Sequence, residues 1–328
     1  MAWKRILIFA FAIVLVLLVI NTFGFFQVIG ALSRANIFLV LIAALIQLGI
    51  LGLQSARLRV LSHDKGYISY RKVLRTALSG AAVSLMTPFA MIGGEPLKMY
   101  MLRTNIGSSK SSAVVAIDGL MEIIASIFVI FVVVVLFIGT IPSNFFMFFV
   151  LFLIAIGLIL GTMLKILFTP RWLNKIIGWI VKKVEKSQNN KVDYPALFQE
   201  AFASIINNRR KLAGVFCISS SVKVLEMLRL WLVFAAIGIS LPMNVAVVGW
   251  AIMVVLLFVP ILPGSLAILE FGATSAFILL GIAPAIAISA VLVDRFLSFW
   301  LVLFIGFGAL SYARKLGELP FAKKELKK

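Results

Sequence analysis

Pro88-Phe89-Ala90-Met91-Ile92-Gly93-Gly94-Glu95 interrupts an apolar stretch, Val73–Thr104, that is otherwise long enough to cross a bilayer. Proline lacks a backbone donor and glycine favours conformations that a helix does not use, so no continuous helix is expected through this string. Inside lipid such a break is tolerable only where protein or a polar cavity receives the freed backbone groups. A second string has the same order: Pro263-Gly264-Ser265-Leu266-Ala267-Ile268-Leu269-Glu270, within the apolar stretch Met243–Ala283. In both, the glutamate stands seven residues after the proline. An aspartate follows at a matching interval, Asp118 after Glu95 and Asp294 after Glu270. Each stretch reads either as two ordinary helices or as a helix followed by a re-entrant half-helix.

The surrounding sequence belongs in a membrane. Of 328 residues 62% are hydrophobic and 13% charged, and the mean hydropathy is +1.13, well outside the range of soluble globular domains. Ile6–Ile29, Ile37–Ser55, Ser111–Gly139, Asn144–Phe168, Leu212–Gly238 and Pro284–Tyr312 all reach the length of about 20 residues that a crossing needs. The N-terminal run follows Lys4 and Arg5 without a small-residue cleavage site, and reads as an uncleaved first helix. The expected fold is all-α and polytopic, with about eight transmembrane helices plus two re-entrant or broken helical hairpins arranged as an inverted repeat. The lone cysteine, Cys217, lies in an apolar stretch and is expected to be a small core residue; a disulfide framework has no second partner.

The charges are lopsided: 31 Lys+Arg against 12 Asp+Glu, a net of +19. Basic residues fall between apolar runs rather than beside polar surface, which speaks against nucleic-acid binding. They mark topology instead. Arg57, Arg59, Lys65, Arg71, Lys72 and Arg75 put the second connection inside, as do the nine Lys/Arg of Thr169–Lys211 and the six of Arg314–Lys328. Thr140–Ser143 and Ile239–Pro242 carry no positive charge and belong outside; Arg34 alone breaks the pattern. Both termini are thus expected on the cytoplasmic side of the inner membrane. The first hairpin opens inward and the second outward. Within one membrane domain, 1–328, residues 73–139 and 243–312 form an inverted repeat, the arrangement of many transporters. Between them lies the connector 169–211, in which Trp172–Lys186 has the spacing of a basic amphipathic helix suited to an anionic leaflet. Residues 313–328 form a basic cytoplasmic tail.

The informative charges are those within spans, where each costs about 2.5–3.5 kcal/mol and normally marks function or a paired partner. Glu95, Glu270, Asp118 and Asp294 occupy repeat-related positions beside the helix breaks and are candidates to bind a cationic headgroup or exchange protons. Lys98 and Arg295 are candidates for a lipid phosphate, with Asp118 and Asp294 orienting them. Glu122, Lys223, Glu226 and Arg229 read as intramembrane ion pairs, and Pro88, Gly93, Gly94, Pro263 and Gly264 as the hairpin backbone. Arg103 reads as snorkelling to the interface and His63 as a solvated loop residue. The lack of a GxxxxGK[ST] loop leaves direct ATP-driven transport unsupported, the lack of an Asp-x-Asp pair weakens a metal-dependent glycosyltransferase reading, and one His and one Cys leave few parts for a His-dependent or thiolate mechanism; no cofactor is expected.

Gly93-Gly94-Glu95-Pro96-Leu97-Lys98-Met99-Tyr100-Met101-Leu102-Arg103 resembles the first signature of the lysylphosphatidylglycerol synthase transmembrane family, also called flippase-like or UPF0104. Pro263-Gly264, Glu270, Leu280-Gly281-Ile282 and Asp294-Arg295 resemble its second. The resemblance spans essentially the whole chain. It implies a relative of the flippase half of the multiple peptide resistance factor, without the synthase domain that attaches lysine to phosphatidylglycerol. The implied activity is translocation of a phospholipid, an aminoacylated lipid, or a polyprenyl-linked or glycolipid. The alternatives are a membrane-embedded lipid-modifying transferase and an accessory subunit of a separate lipid synthase.

Overall fold

The computed structural model describes residues 35–63, 68–87, 93–137, 194–257 and 268–319, together with residues 30, 33, 154, 155, 157, 158, 161 and 162. Every regular element among the described residues is helical, as expected. In chain order these are α1 (Ile37–Ser62), α2 (Tyr70–Leu85), α3 (Glu95–Ile106), α4 (Ser108–Phe137), α5 (Tyr194–Ile206), α6 (Arg209–Ala236), α7 (Met243–Leu257), α8 (Ile268–Leu279) and α9 (Pro284–Arg295). A π-helical segment, Phe296–Leu301, joins α9 to α10 (Val302–Lys315). Among the described residues three continuous helices are long and apolar enough to cross a membrane: Ile37–Ser62, Ser108–Val133 and Pro284–Lys315. The span Ile6–Ile29, most of Asn144–Phe168, Thr140–Ser143, the amphipathic Trp172–Lys186, and the hairpin residues Pro88, Pro263 and Gly264 lie outside the described residues.

Among the described residues each Pro/Gly-broken stretch holds two helices. α2 and α3 have 16 and 12 residues, and the described parts of α7 and α8 have 15 and 12. At about 1.5 Å per residue α2 and α3 are roughly 24 and 18 Å long, less than the ~30 Å hydrocarbon core of a bilayer. Both return helices carry a carboxylate in the first turn, Glu95 in α3 and Glu270 in α8, where the positive end of the helix dipole favours it. Both stop at a glycine in the left-handed region, Gly107 at φ 78 and Gly281 at φ 90, a conformation that costs other residues strain. Gly94 has a different role. A Cβ there would lie 1.9 Å from the Gly80 carbonyl oxygen, so the start of α3 meets α2 backbone to backbone. Its N–H donates to Ser84 Oγ at 2.9 Å.

The chain divides into two compact units. One holds Met1–Leu53, Arg75–Leu97 and Val222–Lys328; the other holds Gln54–Leu74 and Lys98–Ser221. In the first, α8 packs against α7 and α9, and Phe234 meets Phe277 with ring centroids 4.7 Å apart. Ala82 of α2 is buried against Phe299 and Leu303. In the second, α4 packs on α5, Phe128 meets Phe216 edge-on, and Leu58, Leu61, Met101, Leu102, Ile117 and Ile205 are buried. Exposed apolar side chains such as Phe38, Leu41 and Leu45 on α1 suit contact with lipid.

Two expectations need correction. α1 continues to Ser62 instead of ending at Ser55, so Arg57 is a buried helical residue and not a loop charge. Burial is affordable because two carboxylates meet its guanidinium. Cys217, expected in the core, is exposed on α6; a thiol is apolar enough to face lipid.

Candidate functional site

Each unit contains its own buried charge cluster. In the second unit Arg57, only 2% exposed, reaches from α1 to α4. Its Nε donates to Asp118 Oδ1 at 2.7 Å, its Nη2 to Glu122 Oε2 at 2.6 Å, and its Nη1 to Ser219 Oγ on α6 at 3.2 Å. The carboxylates stand one helical turn apart, so one face of α4 presents both. Lys98, from α3, donates from Nζ to the remaining Asp118 oxygen, Oδ2, at 3.3 Å. Two cations and two anions therefore balance inside an apolar helix cluster.

In the first unit Arg229 of α6 grips Asp294 of α9 with both arms, Nε to Oδ1 at 2.8 Å and Nη2 to Oδ2 at 3.2 Å. Its Nη1 donates to Gln47 Oε1 on α1. The neighbouring Arg295 donates from Nε to Glu270 Oε1 on α8 at 2.9 Å, and its guanidinium lies 5.0 Å from the Phe299 ring centroid. Here too the four charges sum to zero. Two oxygens in this cluster are left over. Glu270 Oε2 and Thr274 Oγ1 are buried and have no hydrogen-bond partner among the described residues. They sit four residues apart on α8 and so on one face. Each such orphan costs about 1–3 kcal/mol. That is a reason to look for a ligand supplying a donor.

The remaining candidates fall as follows. Lys223 bonds both oxygens of Glu226, at 3.1 and 3.3 Å, within α6. Arg229, three residues on, bonds Asp294 of α9. Asp118 touches Lys98, but Asp294 touches Arg229 and not Arg295, whose carboxylate is Glu270. Glu95 is partly buried in the first turn of α3. Arg103 is exposed and stacks on Tyr100 at 3.8 Å, and His63 is exposed. Among the described residues no three His, Cys, Asp or Glu side chains come together as metal ligands.

Sequence reasoning missed Arg57, Gln47, Ser219 and Thr274. For Arg57 a signal existed: Asp118 and Glu122 share a face of α4, and Lys98 alone leaves one negative charge unbalanced. A carboxylate pair in an apolar helix, one member buried and the other partly so, calls for a second cation. Arg57 is followed by Leu58, Val60 and Leu61, which extend the apolar pattern of α1 past it.

Residues 5–306 match the family model described as the lysylphosphatidylglycerol synthase TM region. The chain belongs to this family. A UPF0104 membrane protein of Methanothermobacter thermautotrophicus is 26% identical over 311 residues, covering 87% of this chain and 88% of the relative. A UPF0104 membrane protein of Pyrococcus horikoshii is 23% identical over 322 residues, covering 92% and 95%. As a member of the family with apolar helices of spanning length, the chain is a membrane protein.

Proposed function

We propose that this chain translocates a phosphate-bearing lipid, a phospholipid, aminoacylated phospholipid or polyprenyl-linked lipid, across the cytoplasmic membrane with both termini inside. The observation that carries the reading is the pair of buried oxygens without a partner among the described residues, Glu270 Oε2 and Thr274 Oγ1, beside the Arg295 guanidinium that bonds Glu270 Oε1. A lipid headgroup brings both things this site takes up: a phosphate for the Arg295 guanidinium, and a hydroxyl or ammonium donor for Glu270 Oε2 and Thr274 Oγ1. A charge-balanced cluster suits a zwitterionic headgroup, which exchanges the Arg295–Glu270 pair for two new pairs without leaving a bare charge in the membrane. The two helices of each hairpin give a polar headgroup backbone to approach, as broken helices do in transporters. Membership of the lysylphosphatidylglycerol synthase TM-region family supports a lipid as the cargo. The chemistry asked of the residues is binding and release; no covalent step is assigned to them.

Reconstitution of the full chain in liposomes with a fluorescent phosphatidylglycerol tests this. Glu270→Gln keeps the shape and removes the charge. It is expected to slow leaflet exchange by roughly tenfold to a hundredfold, the factor carried by a hydrogen bond to an ionised group. Thr274→Val, which removes only the hydroxyl, should slow exchange less. Rates equal to the parent chain in both variants would overturn the assignment of this site.

A further inference from the structure

The helices before and after the two hairpins correspond as closely as the hairpins themselves. α1 and α6 have 26 and 28 residues; the helices after the hairpins, Ser108–Phe137 and Pro284–Lys315, have 30 and 32. Arg57 is the twenty-first residue of α1, and Arg229 the twenty-first of α6. Asp118 is the eleventh residue of α4, and Asp294 the eleventh of α9. Each arginine bonds its aspartate through the same atoms, Nε to Oδ1, at 2.7 and 2.8 Å. Their third contacts are reciprocal. Arg57 reaches Ser219, the eleventh residue of α6, and Arg229 reaches Gln47, the eleventh residue of α1. A pairing in which residue i meets j and j meets i is the mark of two copies of one element meeting through the same surface.

We infer that residues 37–137 and 209–315 are two copies of one helical unit, and that Arg57 and Arg229 are its equivalent positioning residues. Each ties the helix before a hairpin to the helix after it, so the hairpin is held at both of its ends by one ion pair. In the first copy Arg57 occupies Asp118 Oδ1 and leaves Oδ2 for Lys98. In the second, the grip of Arg229 on both oxygens of Asp294 fixes the rotation of α9 that aims the next residue, Arg295, at Glu270. Neither arginine binds the cargo. They set the cations, Lys98 and Arg295, that do. This role rests on the lipid-binding reading above, whereas the equivalence of the copies does not.

Arg57→Gln and Arg229→Gln, with the charge-keeping Arg57→Lys and Arg229→Lys, separate the two statements. Amide hydrogen exchange of the reconstituted full chain is read alongside the lipid dependence of leaflet exchange with fluorescent phosphatidylglycerol. Arg57→Gln should speed amide exchange by about tenfold, the factor of one lost charge-assisted hydrogen bond, in residues 95–137, and Arg229→Gln should do so in residues 268–315. Each lysine variant keeps the cation opposite its aspartate and should recover part of the protection in its own copy. In leaflet exchange both glutamine variants should raise the half-saturating lipid fraction, as a misplaced phosphate ligand does, and the lysine variants should raise it less. Loosening by one glutamine variant but not the other, or lysine variants as loose as the glutamine ones, would overturn the equivalence. Loosened hairpins with an unchanged half-saturating lipid fraction would overturn the positioning role alone. If the parent chain exchanges no lipid, the proposed function and this positioning role both fail, and the hydrogen-exchange arm still decides the duplication.

Discussion

Asp118→Ala is expected to destabilise the protein by about 3–5 kcal/mol, the cost of removing one partner of a buried ion pair. Asp118 is 2% exposed and accepts from two cations, Arg57 and Lys98. Its loss leaves the Arg57 guanidinium, equally buried, with Glu122 as its one carboxylate among the described residues. The cluster then carries a net positive charge in apolar surroundings. The attraction itself is not the main term. Replacing both partners with apolar residues of similar size, Arg57→Met with Asp118→Leu, should recover much of the lost stability, because the two charges that remain, Glu122 and Lys98, cancel in sum and are both partly exposed. Unfolding midpoints in detergent micelles check both statements. A double variant as unstable as Asp118→Ala would show that the cluster stabilises by its own attraction, contrary to this account.

Gly94→Ala, at the residue just before α3, should be strongly destabilising. The added Cβ would lie 1.9 Å from Gly80 O and 2.6 Å from Ser84 Oγ. Overpacking typically costs about 1–3 kcal/mol where side chains can yield. Here the obstacle is a backbone carbonyl, so the helices must separate and the Gly94 N–H bond to Ser84 is lost with them. Gly119→Ala, on α4, is the control. Nothing lies within 4 Å of a Cβ at Gly119, and alanine improves helix propensity by up to about 1 kcal/mol. It should be neutral or mildly stabilising. Expression, detergent monodispersity and unfolding midpoint compare the pair; equal behaviour would contradict the close approach of α2 and α3.

How much of this was legible in the sequence differs from feature to feature. The all-α class follows from apolar runs of spanning length, and helix breaks at the two Pro/Gly strings follow from the missing donor and the glycines. Intramembrane Asp118, Glu122, Asp294 and Glu270 stand out because a charge in an apolar run is rare. Their partners were harder to find. Arg57 sits next to Arg59, and local charge density made it look like a cytoplasmic loop residue, although α1 continues past it to Ser62. Pairing across helices is a three-dimensional fact: Lys223, Glu226 and Arg229 form a stripe by spacing, yet Arg229 turns to Asp294 on another helix. Gln47, Ser219 and Thr274 are uncharged and common in membrane helices, so nothing in one sequence marks them. The matched positions of Arg57 and Arg229 emerge only once helix starts are known, because the loops between them differ in length.

The central claim is lipid translocation, and its most direct test is the parent chain in liposomes that carry fluorescent phosphatidylglycerol in both leaflets. A membrane-impermeant reductant quenches the outer-leaflet dye alone in empty vesicles. With the protein present, quenching should proceed through the inner leaflet as well, faster with more protein per vesicle. Parallel vesicles carrying lysylated phosphatidylglycerol or a polyprenyl phosphate probe rank the cargo. Quenching that stops at the outer-leaflet share for every one of these lipids, in vesicles shown to hold folded protein, would contradict the account.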